Sequence, residues 1–264
     1  MIASLLFIAI GAADAARAHR SRAVSVVIGV GVVLAVAVSA RLVLAVDWLA
    51  LGVIAVIAVL WIVTMPDDRA RPRIWPVAVL GLSTVGLALV PVAGEGGIAA
   101  EALAAVSSGI LADVSLTAIV AVLGVALILT ETANIIARAT LARVRPAAQP
   151  VPSAGRWQLR LGSFAVGSIE RAELSPVDPA ESPSTLRGGR LIGPIERLLI
   201  VALAVAGAHA IIAALLAAKG IVRFPEISAD RGTGSKAEEF LIGSLVSWGM
   251  AALGALWVWF AQNG

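Results

Sequence analysis

Glu131 stands in Leu129-Thr-Glu-Thr-Ala-Asn134, near the end of a long apolar run. A carboxylate at such a depth costs a few kcal/mol unless it is paired or hydrated. Arg138 follows two turns later, and Arg197 enters from the same side in Gly189-Arg-Leu-Ile-Gly-Pro-Ile-Glu-Arg197. A Glu131–Arg197 or Glu131–Arg138 contact is therefore expected, with Asn134 one turn away. It would serve either as a structural pair between two helices or as part of an ion pathway. Pro194 suits a first helical turn, Glu196 aligns with the helix dipole, and Arg197 is long enough to snorkel to the surface. That segment reads as a well-made helix start or as the polar mouth of a pathway.

His209 falls mid-run among Ala206, Gly207, Ala208 and Ala210. A lone histidine there suits an interhelical hydrogen bond better than a proton relay. Lys219 and Arg223 share a helical face and precede Pro225, which should stop the helix. They are expected at external water or headgroups, or paired with Glu238 and Glu239 at the start of the last run. Gly243, Ser247 and Ala251 form a small-residue stripe suited to close helix packing, with a second copy or a protein partner.

Enzymatic chemistry finds little support. The chain has no cysteine and two histidines, which removes thiolate metal sites, iron–sulfur clusters and multi-histidine sites. Gly232-Thr-Gly-Ser-Lys236 lacks the spacing of a phosphate-binding loop. No nucleophile elbow or catalytic carboxylate pair stands in a polar setting. No catalytic residue, cofactor or metal is assigned.

The elements that must position these residues follow from composition. Of 264 residues, 59% are hydrophobic and 14% charged, with a mean hydropathy of +0.97. Soluble domains carry about 25% charged residues, so a lipid bilayer must solvate most of this chain. The basic pI is arginine-driven and reads as cytoplasmic loop charge, with no nucleic-acid partner implied. Apolar runs at 1–13, 23–40, 48–65, 75–92, 116–136, 198–218 and 240–260 predict an all-α transmembrane bundle of about seven spans. The first run, short and closed by Asp14, has its arginines after it (Arg17, Arg20 and Arg22). That order favours an uncleaved helix over a signal peptide. Basic and non-basic loops alternate, which puts the N-terminus outside and the C-terminus inside a bacterial cytoplasmic membrane. The loop after the sixth run, with Lys219, Arg223, Arg231 and Lys236, is the exception. Trp48, Trp75, Trp257 and Trp259 sit at run ends, as an interfacial belt would.

Three regions result: 1–141, a membrane region of five spans; 142–190, a cytoplasmic insertion; and 191–264, a two-helix membrane module. Residues 94–115 read as an external loop with a short surface helix. Within the insertion, the alternation after Arg156 predicts a β-hairpin turning near Gly162. The Pro- and Ser-rich stretch from Ser175 has linker composition.

Gly189-Arg-Leu-Ile-Gly-Pro-Ile-Glu-Arg-Leu-Leu-Ile, Ala217-Ala-Lys-Gly-Ile-Val-Arg-Phe and Ala237-Glu-Glu-Phe-Leu-Ile-Gly-Ser-Leu-Val-Ser resemble the C-terminal membrane segment of an uncharacterised family of bacterial polytopic membrane proteins. The resemblance covers under a third of the chain. It implies that the last two helices and their charged hairpin form a reusable module, and carries no activity. The function expected is a non-catalytic membrane scaffold or regulatory subunit. The competing reading is an ion or small-solute channel or transporter using Glu131, Arg197 and His209.

Overall fold

The first apolar run, weakest in length, forms the centre of the molecule. In a computed structural model that describes residues 1–17, 22–65, 74–90, 96–106, 114–144, 157–161, 164–169, 189–228 and 235–263, helix α1 (Ile2–Arg17) buries Leu6, Ala9, Ile10 and Ala13 completely. Small residues let its neighbours come close. A Cβ on Gly11 would lie 2.6 Å from the Leu127 carbonyl carbon, and one on Gly124 would lie 2.6 Å from Ser4 O. Removing α1 would take the core with it.

Helices α2 (Arg22–Leu44), α3 (Trp48–Thr64) and α4 (Trp75–Ala88) follow, with a short α5 (Ile98–Val106). The α2–α3 reversal is made at Ala45, with φ 53°, and Asp47 caps α3 by accepting the Leu49 N–H at 2.8 Å. Gly97 lies against that turn, where a Cβ would be 2.6 Å from Val43 O. The fifth apolar run forms one long rod: α6 (Leu116–Leu127), a π turn (Ile128–Thr132) and α7 (Ala133–Val144). Strands β1 (Trp157–Leu161) and β2 (Phe164–Ile169) pair antiparallel, with Leu161 opposite Phe164.

The sixth run departs from expectation. It is not one span. Gly207, with φ 72°, reverses the chain between α8 (Gly189–Val205) and α9 (His209–Ser228). This backbone conformation is open to glycine at little cost. The two helices form a hairpin, so Lys219 reaches back to Glu196. Both prolines lie inside helices, because α8 starts at Gly189, ahead of Pro194, and α9 runs past Pro225 to Ser228. Pro194 therefore sits beyond the first turn, and Pro225 does not end its helix.

Helix α10 (Ser235–Asn263) completes the chain. Contacts fix the directions. Arg197 bonds Ser247, and the Cβ position of Gly254 lies 3.6 Å from Val201, so α8 and α10 run parallel. Ser115 meets Ala261, and Gly243 meets Leu141, so α10 is antiparallel to the α6–α7 rod. Ser4 meets Gly124 and Asp14 meets Thr132, so α1 runs with α6.

The described residues are predominantly helical. Three helices, Ala23–Leu44, Leu116–Arg143 and Lys236–Asn263, are long and apolar enough to cross a membrane. Large apolar side chains such as Val27, Leu34, Val56, Leu82 and Leu253 face outward, which a bilayer accommodates and water does not.

Candidate functional site

Polar side chains gather around the π turn: Arg197 bonds it directly, and Asp14, paired with Arg17, bonds it through Thr132. In a π turn the hydrogen bonds run to the fifth residue on. Here the Ala133 N–H bonds Ile128 O instead of Leu129 O, its partner in an α-helix. Arg197, only 4% exposed, fills the position so opened. Its Nη1 donates to Leu129 O at 3.0 Å, to Asn134 Oδ1 at 2.9 Å and to Thr130 O at 3.5 Å. Its Nε donates to Ser247 Oγ at 2.9 Å. One guanidinium thus joins α8, both sides of the π turn and α10. The planar fork of donors makes arginine suited to this task.

On the other side lies a buried cluster whose members sequence reading did not assemble. Asp14 and Arg17 are each 1% exposed. Asp14 Oδ1 accepts from Arg17 Nε at 2.8 Å and Nη2 at 2.6 Å. Its Oδ2 accepts from Thr132 Oγ1 at 2.7 Å and Trp61 Nε1 at 3.1 Å. Arg17 also donates to Ile62 O at 3.1 Å and Met65 O at 2.9 Å, beyond which α3 has no further turn to use those carbonyls. Ser25 Oγ donates to Arg17 O at 3.2 Å. Arg17, expected as a loop charge, is therefore an interior residue linking α1, α2 and α3. The spacing Asp14-x-x-Arg17 puts both on one helix face and was the available signal. Trp61 and Thr132, distant in sequence, gave none.

A third cluster ties α9 to the bundle. Lys219 Nζ lies 2.8 and 2.6 Å from the two oxygens of Glu196, and Trp248 Nε1 donates to Glu196 Oε1 at 2.8 Å. Lys219 also stands 5.4 Å from the centre of the Trp248 ring. The Lys219 and Glu196 side chains are 29% and 11% exposed, so the ion pair is half-buried. Lys219 thus pairs with Glu196, not with Glu238 or Glu239, because the Gly207 reversal puts residues 196 and 219 opposite one another.

The remaining expected residues are placed as follows. Glu131 is half-buried within the π turn and acts on Arg197 through its charge, as does Glu196. Arg138 and Arg223 are exposed. His209 is not mid-span: it is the first residue of α9, exposed beside the reversal at Gly207. Glu238 is exposed and Glu239 half-exposed, in the first turns of α10. The stripe faces inward: Gly243 toward Leu141, Ser247 toward Arg197, and Ala251 fully buried.

Every buried side-chain nitrogen and oxygen among the described residues has a hydrogen-bond partner. A cavity beside Ile10 and Trp61 holds about 10 Å³ of water-accessible space, and two others lie at the outer surfaces of α8–α10 and of α3. None of the three is lined by Glu131, Asn134, Arg197 or His209. No group of three or more metal-ligating side chains occurs among the described residues. Chemically, these clusters fix helices to one another. The chain matches no protein-family model, no curated protein and no solved structure.

Proposed function

We propose that the chain is a non-catalytic scaffold or regulatory subunit of a bacterial cytoplasmic membrane, presenting residues 145–188 to a soluble partner. The carrying observation is how the buried charges are held: Asp14 and Arg17 bind one another, and Arg197 binds backbone carbonyls, Asn134 and Ser247. Such interiors suit a platform better than a conduit, where ionisable residues face a water-filled path. Reconstituted vesicles should show ion and solute flux no greater than empty ones. Photo-crosslinkers placed within 145–188 should yield one discrete adduct in cells. Flux that Glu131→Gln or His209→Ala removes would overturn this reading in favour of a transporter. The bacterial assignment rests on the resemblance read from the sequence after Gly188 alone.

The helix directions support a revised membrane topology. Crossings by α1, α2, α3, α4, the α6–α7 rod, α8, α9 and α10 make eight, with both termini on the same side. The segments 18–21, 66–73, 145–188 and 229–234, with Arg20, Arg69, Arg71, Arg73, Arg145, Arg156 and Arg231 among their residues, then all leave from one end of the bundle. The opposite connections hold Asp47, Glu95 and Asp113. The charge exception noted for the sixth loop disappears, and the cationic end is cytoplasmic by the positive-inside rule.

A further inference from the structure

Leu129 O and Asn134 Oδ1 flank a turn that holds one residue more than an α-helical turn would. Beyond it α7 is phased as though one residue were missing. Closing the turn to α-helical spacing would rotate α7 by roughly 100° and advance it about 1.5 Å. Helix α7 ends at Val144, where the insertion begins.

We propose that Ile128–Thr132 is a two-state turn, held wide by Arg197, that sets the rotation of α7 and with it the base of the insertion. Arg197 takes the carbonyl that the wide spacing diverts, and grips Asn134 in the first turn beyond. Closure returns Leu129 O to the Ala133 N–H and turns Asn134 away, so the guanidinium loses both partners while Ser247 still holds it to α10. Thr132 is anchored independently from the far side by Asp14. Glu196, its neighbour, and Glu131 in the turn act on Arg197 through their charge, and Glu196 is itself bound to Lys219 on α9. Displacement of α9 therefore bears on Arg197 through Glu196. The consequence for partner binding rests on the scaffold reading; the rotation of α7 does not.

The register of α7 against α10 reads the state directly. Leu141 lies over Gly243 in the wide state, and on closure Thr140 would take its place. The chain has no cysteine, so Leu141→Cys/Gly243→Cys and Thr140→Cys/Gly243→Cys pairs can be compared in the full-length protein in nanodiscs. The 141–243 pair should crosslink and the 140–243 pair should not. Adding Arg197→Met should reverse that preference at least fivefold. Deleting Thr130 removes the extra residue, and should keep the 141–243 crosslink with or without Arg197. Loss of both crosslinks in Arg197→Met, restored at 141–243 by the deletion, would also support the proposal. Retention of the 141–243 crosslink in Arg197→Met alone, or loss of both that the deletion does not restore, would overturn it. Neither result bears on the flux test, so failure here is separable from failure of the scaffold reading.

Discussion

Asp14 and Arg17 are tolerable in the interior because each of their buried side-chain nitrogens and oxygens has a partner. Removing one member leaves the other buried without its counter-charge. Asp14→Ala should therefore destabilise the protein by about 3–5 kcal/mol, read by denaturant titration in mixed micelles. Asp14→Ala combined with Arg17→Leu should recover most of that loss. A double variant as unstable as the single would mean that Arg17's bonds to Ile62 O and Met65 O matter more than the pair. Sequence singled out Arg197 and Asn134 but expected a carboxylate as the close partner of the guanidinium. The partner it finds is a backbone carbonyl, and only the irregular spacing at Ile128–Thr132 makes that carbonyl available. Side-chain type and spacing carry no record of a diverted backbone bond.

At the scale of helices, Gly11 and Gly207 control how elements meet. At Gly11, an added Cβ would stand 2.6 Å from the Leu127 backbone, so Gly11→Ala forces α1 off the rod. A loss of about 1–3 kcal/mol is expected, measured by thermal unfolding in detergent; an unchanged midpoint would show that the helices separate freely. For α9, Glu196→Lys with Lys219→Glu should restore the stability that either reversal loses, whereas swapping Lys219 with Glu239 should not. Apolar run lengths located most helices to within a few residues. They missed the split of the sixth run, because Ala206-Gly-Ala-His209 is as apolar as the helices it joins. A reversal there depends on one positive φ, not on a change in polarity. The last helix began five residues earlier than its apolar run, because Ser235-Lys-Ala-Glu-Glu is helical but charged.

For the whole molecule, the decisive measurement is sidedness. Single cysteines at Ala206, Thr233 and Asn263 should react with impermeant maleimide in intact spheroplasts at 206 and 263, and at 233 only after permeabilisation. An arrangement with seven crossings would leave 263 inside and 233 outside. Composition alone gave the apolar helices, three of them long enough to cross a membrane. It could not give the break in the sixth run, which turns on the positive φ of Gly207. The short helices carry one more implication. Helices α1, α3 and α4 have 16, 17 and 14 residues, or about 21–26 Å of length, against a hydrocarbon core of about 30 Å. In the eight-crossing arrangement proposed above, lipid beside α3 and α4 would compress to meet them, and that elastic deformation costs fractions of a kcal/mol per Å. The cost falls where two such molecules share one dimple, so bilayer thickness itself would set where the protein accumulates and how closely its copies gather.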